Sequence, residues 1–118
     1  RGPLRVRWTL PDGSVFTTDA PRIQLGRIAE VHDDRGRLVR RNDIVVASGD
    51  TVSRAHAHVE FDGSDRSYRI FDDGSTYGTG VLHKGRLVDL AKAGARGFAL
   101  SSGDEVYLGR ERVRFEVE

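Results

Sequence analysis

Three short stretches of this chain collect side chains suited to holding an anion. The run "LGR" ends in Gly26-Arg27. The run "VSRAHA" places Ser53, Arg54 and His56 within four residues. The run "GSTYGTG", residues 74–80, offers small residues and hydroxyls around one aromatic, Tyr77. Guanidinium groups are planar donors suited to bidentate contact, hydroxyls are neutral donors, and glycine lets backbone N–H groups approach closely. Together they suit a tetrahedral dianion. Alone each is ordinary, since a Gly-Arg at the end of a strand usually marks only a turn. The signal lies in the three occurring together and in this order.

Other chemistries fit less well. Ser53 and His56 stand three apart, too close for the usual nucleophile and base, and neither a nucleophile-elbow motif nor an orienting carboxylate accompanies them. The glycine-rich stretch lacks the Gly-Lys-Ser/Thr ending of a nucleotide-binding loop, and no helical pattern follows it. His32, His56, His58 and His83 are scattered without metal-ligand spacing, and cysteine is absent. His56 reads as a brace that bonds backbone groups. No catalytic residue, metal or cofactor is expected.

The elements that must position these residues read as strands. Val6 and Trp8 alternate with Arg5, Arg7 and Thr9 before a Pro11-Asp12-Gly13 turn, and Val15-Phe16 and Ile23 to Leu25 follow. Asp43 to Val46 is next; then Ala57, Val59 and Phe61 alternate with His58 and Glu60. Tyr68 to Phe71, Arg86 to Leu90, Glu105 to Leu108 and Val113 to Val117 complete the set. Many short strands between Gly- and Asp-rich turns imply an all-β antiparallel sandwich or barrel. In such a sandwich the loops gather at two ends, where the three stretches could meet. Residues 89–97 have helix-forming composition, but two glycines favour a loop or single turn. Residues 29–41 read as a projecting hairpin-like insertion, with Val31 on one arm, Leu38 and Val39 on the other, and Asp33 to Gly36 at the tip. Its charges read as a solvated excursion.

A chain of 118 residues suits one domain spanning 1–118, and 37% hydrophobic with 31% charged residues suits a globular one. No apolar run approaches the ~20 residues of a spanning helix, so no membrane association is expected. A net charge of +1 argues against a nucleic-acid binder, and Glu116 and Glu118 dilute the one basic face that Arg5, Arg7, Arg112 and Arg114 could form. The 17 Arg to 2 Lys read as compositional bias. The absence of cysteine agrees with a cytoplasmic, intracellular setting, and the absence of methionine with a domain excised from a longer protein.

In order and spacing, "LGR" (25–27), "VSRAHA" (52–57), "GSTYGTGV" (74–81) and "LSSGDEVYLG" (100–109) resemble the forkhead-associated (FHA) domain, and "NDIVV" (42–46) fits the strand before the Ser-Arg loop. The resemblance covers residues 4 to 117. It implies a β-sandwich of the SMAD/FHA type with about eleven strands and binding loops at one end. It also implies a non-catalytic module that binds threonine-phosphorylated proteins or peptides, with a Ser/Thr kinase upstream. By resemblance, Arg27 and Ser53 are the main phosphate contacts, Arg54 helps hold phosphate or peptide, and Thr76 reaches the phosphate. Gly26, His56 and Gly78 support the site: Gly26 by close approach, His56 by bracing the Ser53 loop, Gly78 at the bend.

The sequence departs from the family pattern at several points. Tyr77 stands where the family has the Asn that bonds the peptide backbone, and a tyrosine cannot supply that paired amide donor and acceptor. Its ring and hydroxyl would have to serve the peptide instead. Gly80 replaces an aromatic or aliphatic residue, and the usual Asn-Gly turn reads Leu82-His83-Lys84-Gly85. The 29–41 insertion lengthens the gap between Arg27 and Ser53, and its flanking position suggests that it shapes selectivity at the binding face. The competing expectation is a phosphate-independent docking or dimerising module on the same scaffold.

Overall fold

The structure, a computed structural model, describes residues 2–118; the first residue of the expected domain lies outside the described residues. Two main sheets stack as a sandwich. The six-stranded sheet has β1 (Val6–Thr9), β2 (Val15–Thr18), β9 (Thr79–His83), β10 (Arg86–Asp89), β12 (Glu105–Leu108) and β13 (Glu111–Val117), in the order β10-β9-β12-β13-β1-β2. The five-stranded sheet has β3 (Arg22–Gly26), β6 (Ile44–Val45), β7 (Ala57–Asp62), β8 (Ser67–Asp72) and β11 (Phe98–Leu100), in the order β11-β8-β7-β3-β6. A separate hairpin pairs β4 (Glu30–His32) with β5 (Leu38–Arg41).

Period-2 alternation sets which face of each strand is buried. Val6 and Trp8 on β1, Ile23 and Leu25 on β3, Ala57 and Val59 on β7, and Val113 and Phe115 on β13 point inward and are almost fully buried. Aromatic rings join the layers. Trp8 and Phe115 from one sheet lie 5.0 Å apart between centroids, and Tyr68 of β8 meets Phe115 edge-on at 6.2 Å. The Tyr68 hydroxyl donates to the Leu4 carbonyl at 2.8 Å, so its polar end is satisfied. On the outer face, Arg7, Arg112 and Arg114 reach Glu116, Glu118 and Glu105.

The two sheets hold the expected eleven strands, and the hairpin adds two more among the described residues; in two respects the sandwich differs from the sequence expectation. β3 and β6 pair in parallel, at Leu25↔Ile44 and Gly26↔Val45. The stretch read as a loop through Gly80 turns into β9 already at Thr79, whose hydroxyl is buried on Asp72; the glycines around it had masked the strand. Residues 90–92 form one 3-10 turn, the single turn expected there, capped by Asp89, which accepts from the Ala91 N–H.

The 29–41 segment is a hairpin, but not only a solvated one. Arg40 turns inward: its guanidinium donates to Asp73 Oδ2 at 2.7 Å, to the carbonyls of Leu25 (3.1 Å) and Ala57 (2.6 Å), and through Nε to Asn42 Oδ1 at 2.8 Å. Its side chain is only 12% exposed. The hairpin base is thereby locked to β3, β7 and the residue preceding the 74–78 loop. Breaking a half-buried, hydrogen-bonded ion pair from one side leaves the other charge uncompensated. Arg40→Met is therefore expected to lower stability by about 2–3 kcal/mol. Arg41→Ala, which loses only an exposed pair with Glu30, should cost under about 0.5 kcal/mol. Urea unfolding of the two variants checks this; equal losses would mean that Arg40 does not hold the hairpin.

Candidate functional site

Strand β3 ends at Gly26, where the chain passes under the loop that leads into β7. A Cβ at position 26 would collide with the Arg54 carbonyl and the Asn42 amide. Gly26 is required here for space. Asn42, 8% exposed, donates from Nδ2 to the carbonyls of Ile28 (2.8 Å) and Arg54 (2.7 Å) and so ties the segments on either side of Gly26 together. The next residue, Arg27, donates its N–H to the Ser53 carbonyl at 3.0 Å and one guanidinium N–H to the Val52 carbonyl at 3.0 Å. Val52 anchors this loop in the core at 1% exposure. A guanidinium has five N–H donors, so the Val52 bond fixes the fork's direction and leaves most of it available.

His56 is fully buried and joins two loops. Its Nδ1 accepts from the Ser53 N–H at 2.9 Å, which makes Nε2 the protonated nitrogen, and Nε2–H donates to the Gly78 carbonyl at 2.9 Å. Burial pushes the His56 pKa down, and the bond to Gly78 only partly offsets that, so the ring is neutral. Gly78 has φ +86°, a left-handed conformation, with open space where a Cβ would go. Here glycine serves the backbone dihedral and not the packing.

The 74–78 loop is shaped by a residue that the sequence reading left out. The Asp72 carboxylate accepts from the Gly74 and Ser75 N–H groups at 3.0 Å each, from the Ser75 hydroxyl, and from the Thr79 hydroxyl at 2.6 Å. Burial opposes its ionisation, but those hydrogen bonds prevail and hold its pKa below the usual carboxylate value. The Ser75 hydroxyl in turn accepts from the Gly78 N–H at 3.0 Å. The sequence sign of this brace was an Asp followed at i+3 by a serine, an Asx-type turn pattern.

These supports bring four of the five expected contact residues to one place. Arg27, Ser53, Arg54 and Thr76 line a cleft of about 370 Å³, together with Ala55 and with Val31 and His32 from β4. The Thr76 N–H donates to Ser53 Oγ at 3.1 Å. That bond occupies a lone pair of the hydroxyl and leaves its hydrogen free to donate outward. No carboxylate lines the cleft, and neither Arg27 nor Arg54 has an acidic partner among the described residues, whereas Arg7, Arg22, Arg69 and Arg114 on the sheet faces do. Among the described residues no three His, Asp or Glu side chains converge as metal ligands. Tyr77 does not share the cleft. It is 63% exposed and lines a neighbouring groove of about 570 Å³ with Gly80, Leu82, Leu87, Val88 and Tyr107.

A lowered histidine pKa means that the unfolded chain binds the proton more readily. The stabilising contribution of His56 is therefore complete above its unfolded pKa near 6.5 and is lost as pH falls below that value through the lower, folded one. Thermal unfolding from pH 7.5 to 5 should show a declining Tm, and His56→Ala should be destabilised by about 2–4 kcal/mol at pH 7.5 with a flatter decline. A His56→Ala profile parallel to that of the wild type would assign the pH dependence to another group.

The family profile described as "FHA domain" matches residues 24–109. Among solved structures, the chain resembles EmbR of Mycobacterium tuberculosis in complex with a low-affinity phosphopeptide (22% identity, TM-score 0.66). The match covers 98% of this chain and 25% of EmbR, so the chain spans a quarter of that protein's length. It is similar to an FHA domain examined for phosphothreonine-dependent interactions (22% identity, TM-score 0.64, 97% of each chain). It is also similar to the FHA domain of a hypothetical protein of Arabidopsis thaliana (21% identity, TM-score 0.70, 98% of this chain and 86% of that one). No curated protein matches by sequence.

Proposed function

This chain belongs to the FHA family, non-catalytic modules known for phosphothreonine-dependent protein binding, and from that premise we propose that it reads a threonine-phosphorylated partner through the Arg27–Ser53–Arg54–Thr76 cleft. The observation that carries this reading is two unpaired guanidiniums and an outward-donating Ser53 hydroxyl in a cleft with no lining carboxylate. Phosphate brings nearly two negative charges and three acceptor oxygens. Charge-assisted hydrogen bonds contribute about 1.5–3 kcal/mol each, so two or three supply most of the ~8 kcal/mol of micromolar affinity. An unphosphorylated peptide would lose most of that.

In this reading Arg27 grips the phosphate with its unused N–H donors, Ser53 donates its hydroxyl, and Arg54, exposed at the rim, adds charge. Thr76 closes the opposite wall. A peptide seated there passes over Thr76 onto Tyr77, whose exposed ring replaces an amide contact with a flat apolar surface. The domain would act in the cytoplasm downstream of a Ser/Thr kinase. The Tyr77–Leu82–Leu87–Tyr107 groove favours a second reading, phosphate-independent docking of a protein surface. The two readings differ in whether removing the phosphate matters.

Anisotropy titration with degenerate phosphothreonine, phosphoserine and unphosphorylated peptide pools separates them. Selective binding of the phosphothreonine pool is expected; equal or absent binding of all three would leave docking as the function. Arg27→Ala should weaken phosphopeptide binding by about thirtyfold or more and cost at most about 1 kcal/mol of stability, since only the Val52 contact is lost. Phosphopeptide binding that survives Arg27→Ala would place the phosphate elsewhere. Tyr77→Ala should weaken the phosphothreonine pool about three- to tenfold without a change in Tm; an unchanged affinity would remove Tyr77 from the peptide path.

A further inference from the structure

The two arms of the 30–41 hairpin are not in simple register. Val31 pairs with Arg40, but the next residue, His32, pairs with Leu38, so Val39 is an extra residue on β5. Consecutive residues of a regular strand point to opposite faces. A bulge twists the strand and re-aims a side chain, and here Val31 and His32, neighbours in sequence, both line the cleft that holds Arg27, Ser53, Arg54 and Thr76. The imidazole has no hydrogen-bond partner among the described residues, although His56, His58 and His83 all have one. The one carboxylate beside it on the hairpin, Asp33, is already engaged by the Arg35 and Arg37 N–H groups and the Arg37 guanidinium. From the other walls His32 faces cations, Arg27 and Arg54.

An unpartnered imidazole lining the same cleft as two guanidiniums can donate to a dianion placed between them. We propose that His32 is a third cationic donor to the bound phosphate, so that the inserted hairpin is a working wall of the binding site and sets its selectivity for the doubly charged phosphate. This rests on the phosphothreonine reading above. The hairpin is held for the task at its base, where Arg40 fastens β5 to Asp73, while the tip remains in solvent.

By linkage, any preference of the ligand for the imidazolium raises the His32 pKa on binding by the same factor. The test is a two-dimensional ring-nitrogen NMR titration of His32, with and without a blocked phosphothreonine (acetylated, amidated) at saturating concentration, alongside peptide affinities of three variants. The midpoint should rise by about half a pH unit or more, corresponding to about threefold or greater preference for the charged ring. At pH 6.5, His32→Ala should weaken both the blocked phosphothreonine and the phosphothreonine peptide pool about three- to fivefold, and His32→Arg should restore them, all with unchanged Tm. Wild-type binding with an unmoved midpoint and unaffected variants would overturn the role of His32 alone. A loss confined to the peptide pool would also overturn it, by moving the contact to a peptide side chain. Failure of the wild type to bind any phosphothreonine ligand would remove the underlying reading as well.

Discussion

The loop end of this domain that holds the cleft depends on one neutral, fully buried imidazole. His56 receives the Ser53 N–H on one nitrogen and gives the other's proton to the Gly78 carbonyl. Ser53 lies on the loop feeding β7 of the five-stranded sheet, and Gly78 on the loop feeding β9 of the six-stranded one. The ring therefore fastens the two layers of the sandwich together where the loops emerge. A protonated ring would be a donor at both nitrogens and could not accept from Ser53. Burial keeps it neutral, and the neutral tautomer keeps the loops in place.

Charge is divided unevenly over the molecule. The sheet faces carry many arginines, most of them opposed by a glutamate or aspartate, and such exposed pairs contribute little to stability. Around the cleft the pattern reverses. The nearby carboxylates, Asp72 and Asp73, are turned inward to hold the loop and the hairpin. The cleft is thus lined by two arginines while these nearby acids are committed to other bonds.

Much of this was legible in the sequence because it follows from local rules. Alternation at 57–61 gave β7 and its buried face, the Gly and Asp turns gave the all-β class, and the ordered Gly-Arg, Ser-Arg-Ala-His and Gly-Ser-Thr stretches indicated which loops would meet. What escaped was non-local. Arg40 reads as one more surface charge until β3 and β7 present their carbonyls to it. Asn42 acquires its role only where Gly26 passes beneath Arg54. Tyr77 stands at the family's Asn position and was expected to meet a peptide, but only the folded backbone shows that it lines the groove beside the cleft and not the cleft itself. The bulge at Val39 cannot be read from one strand, since a register shift is a property of a pair.

The pairing of β1 with β13 joins Val6 to Val117, and the Glu118 N–H returns to the Arg5 carbonyl at 3.0 Å. Entry and exit of the chain are thus adjacent in space, a geometry that tolerates splicing and permutation. A fold of this kind is portable. It can be looped out of a host polypeptide on two short leads, or have its ends fused and be reopened at the solvent-facing tip near Gly36, without disturbing the order of strands within either sheet.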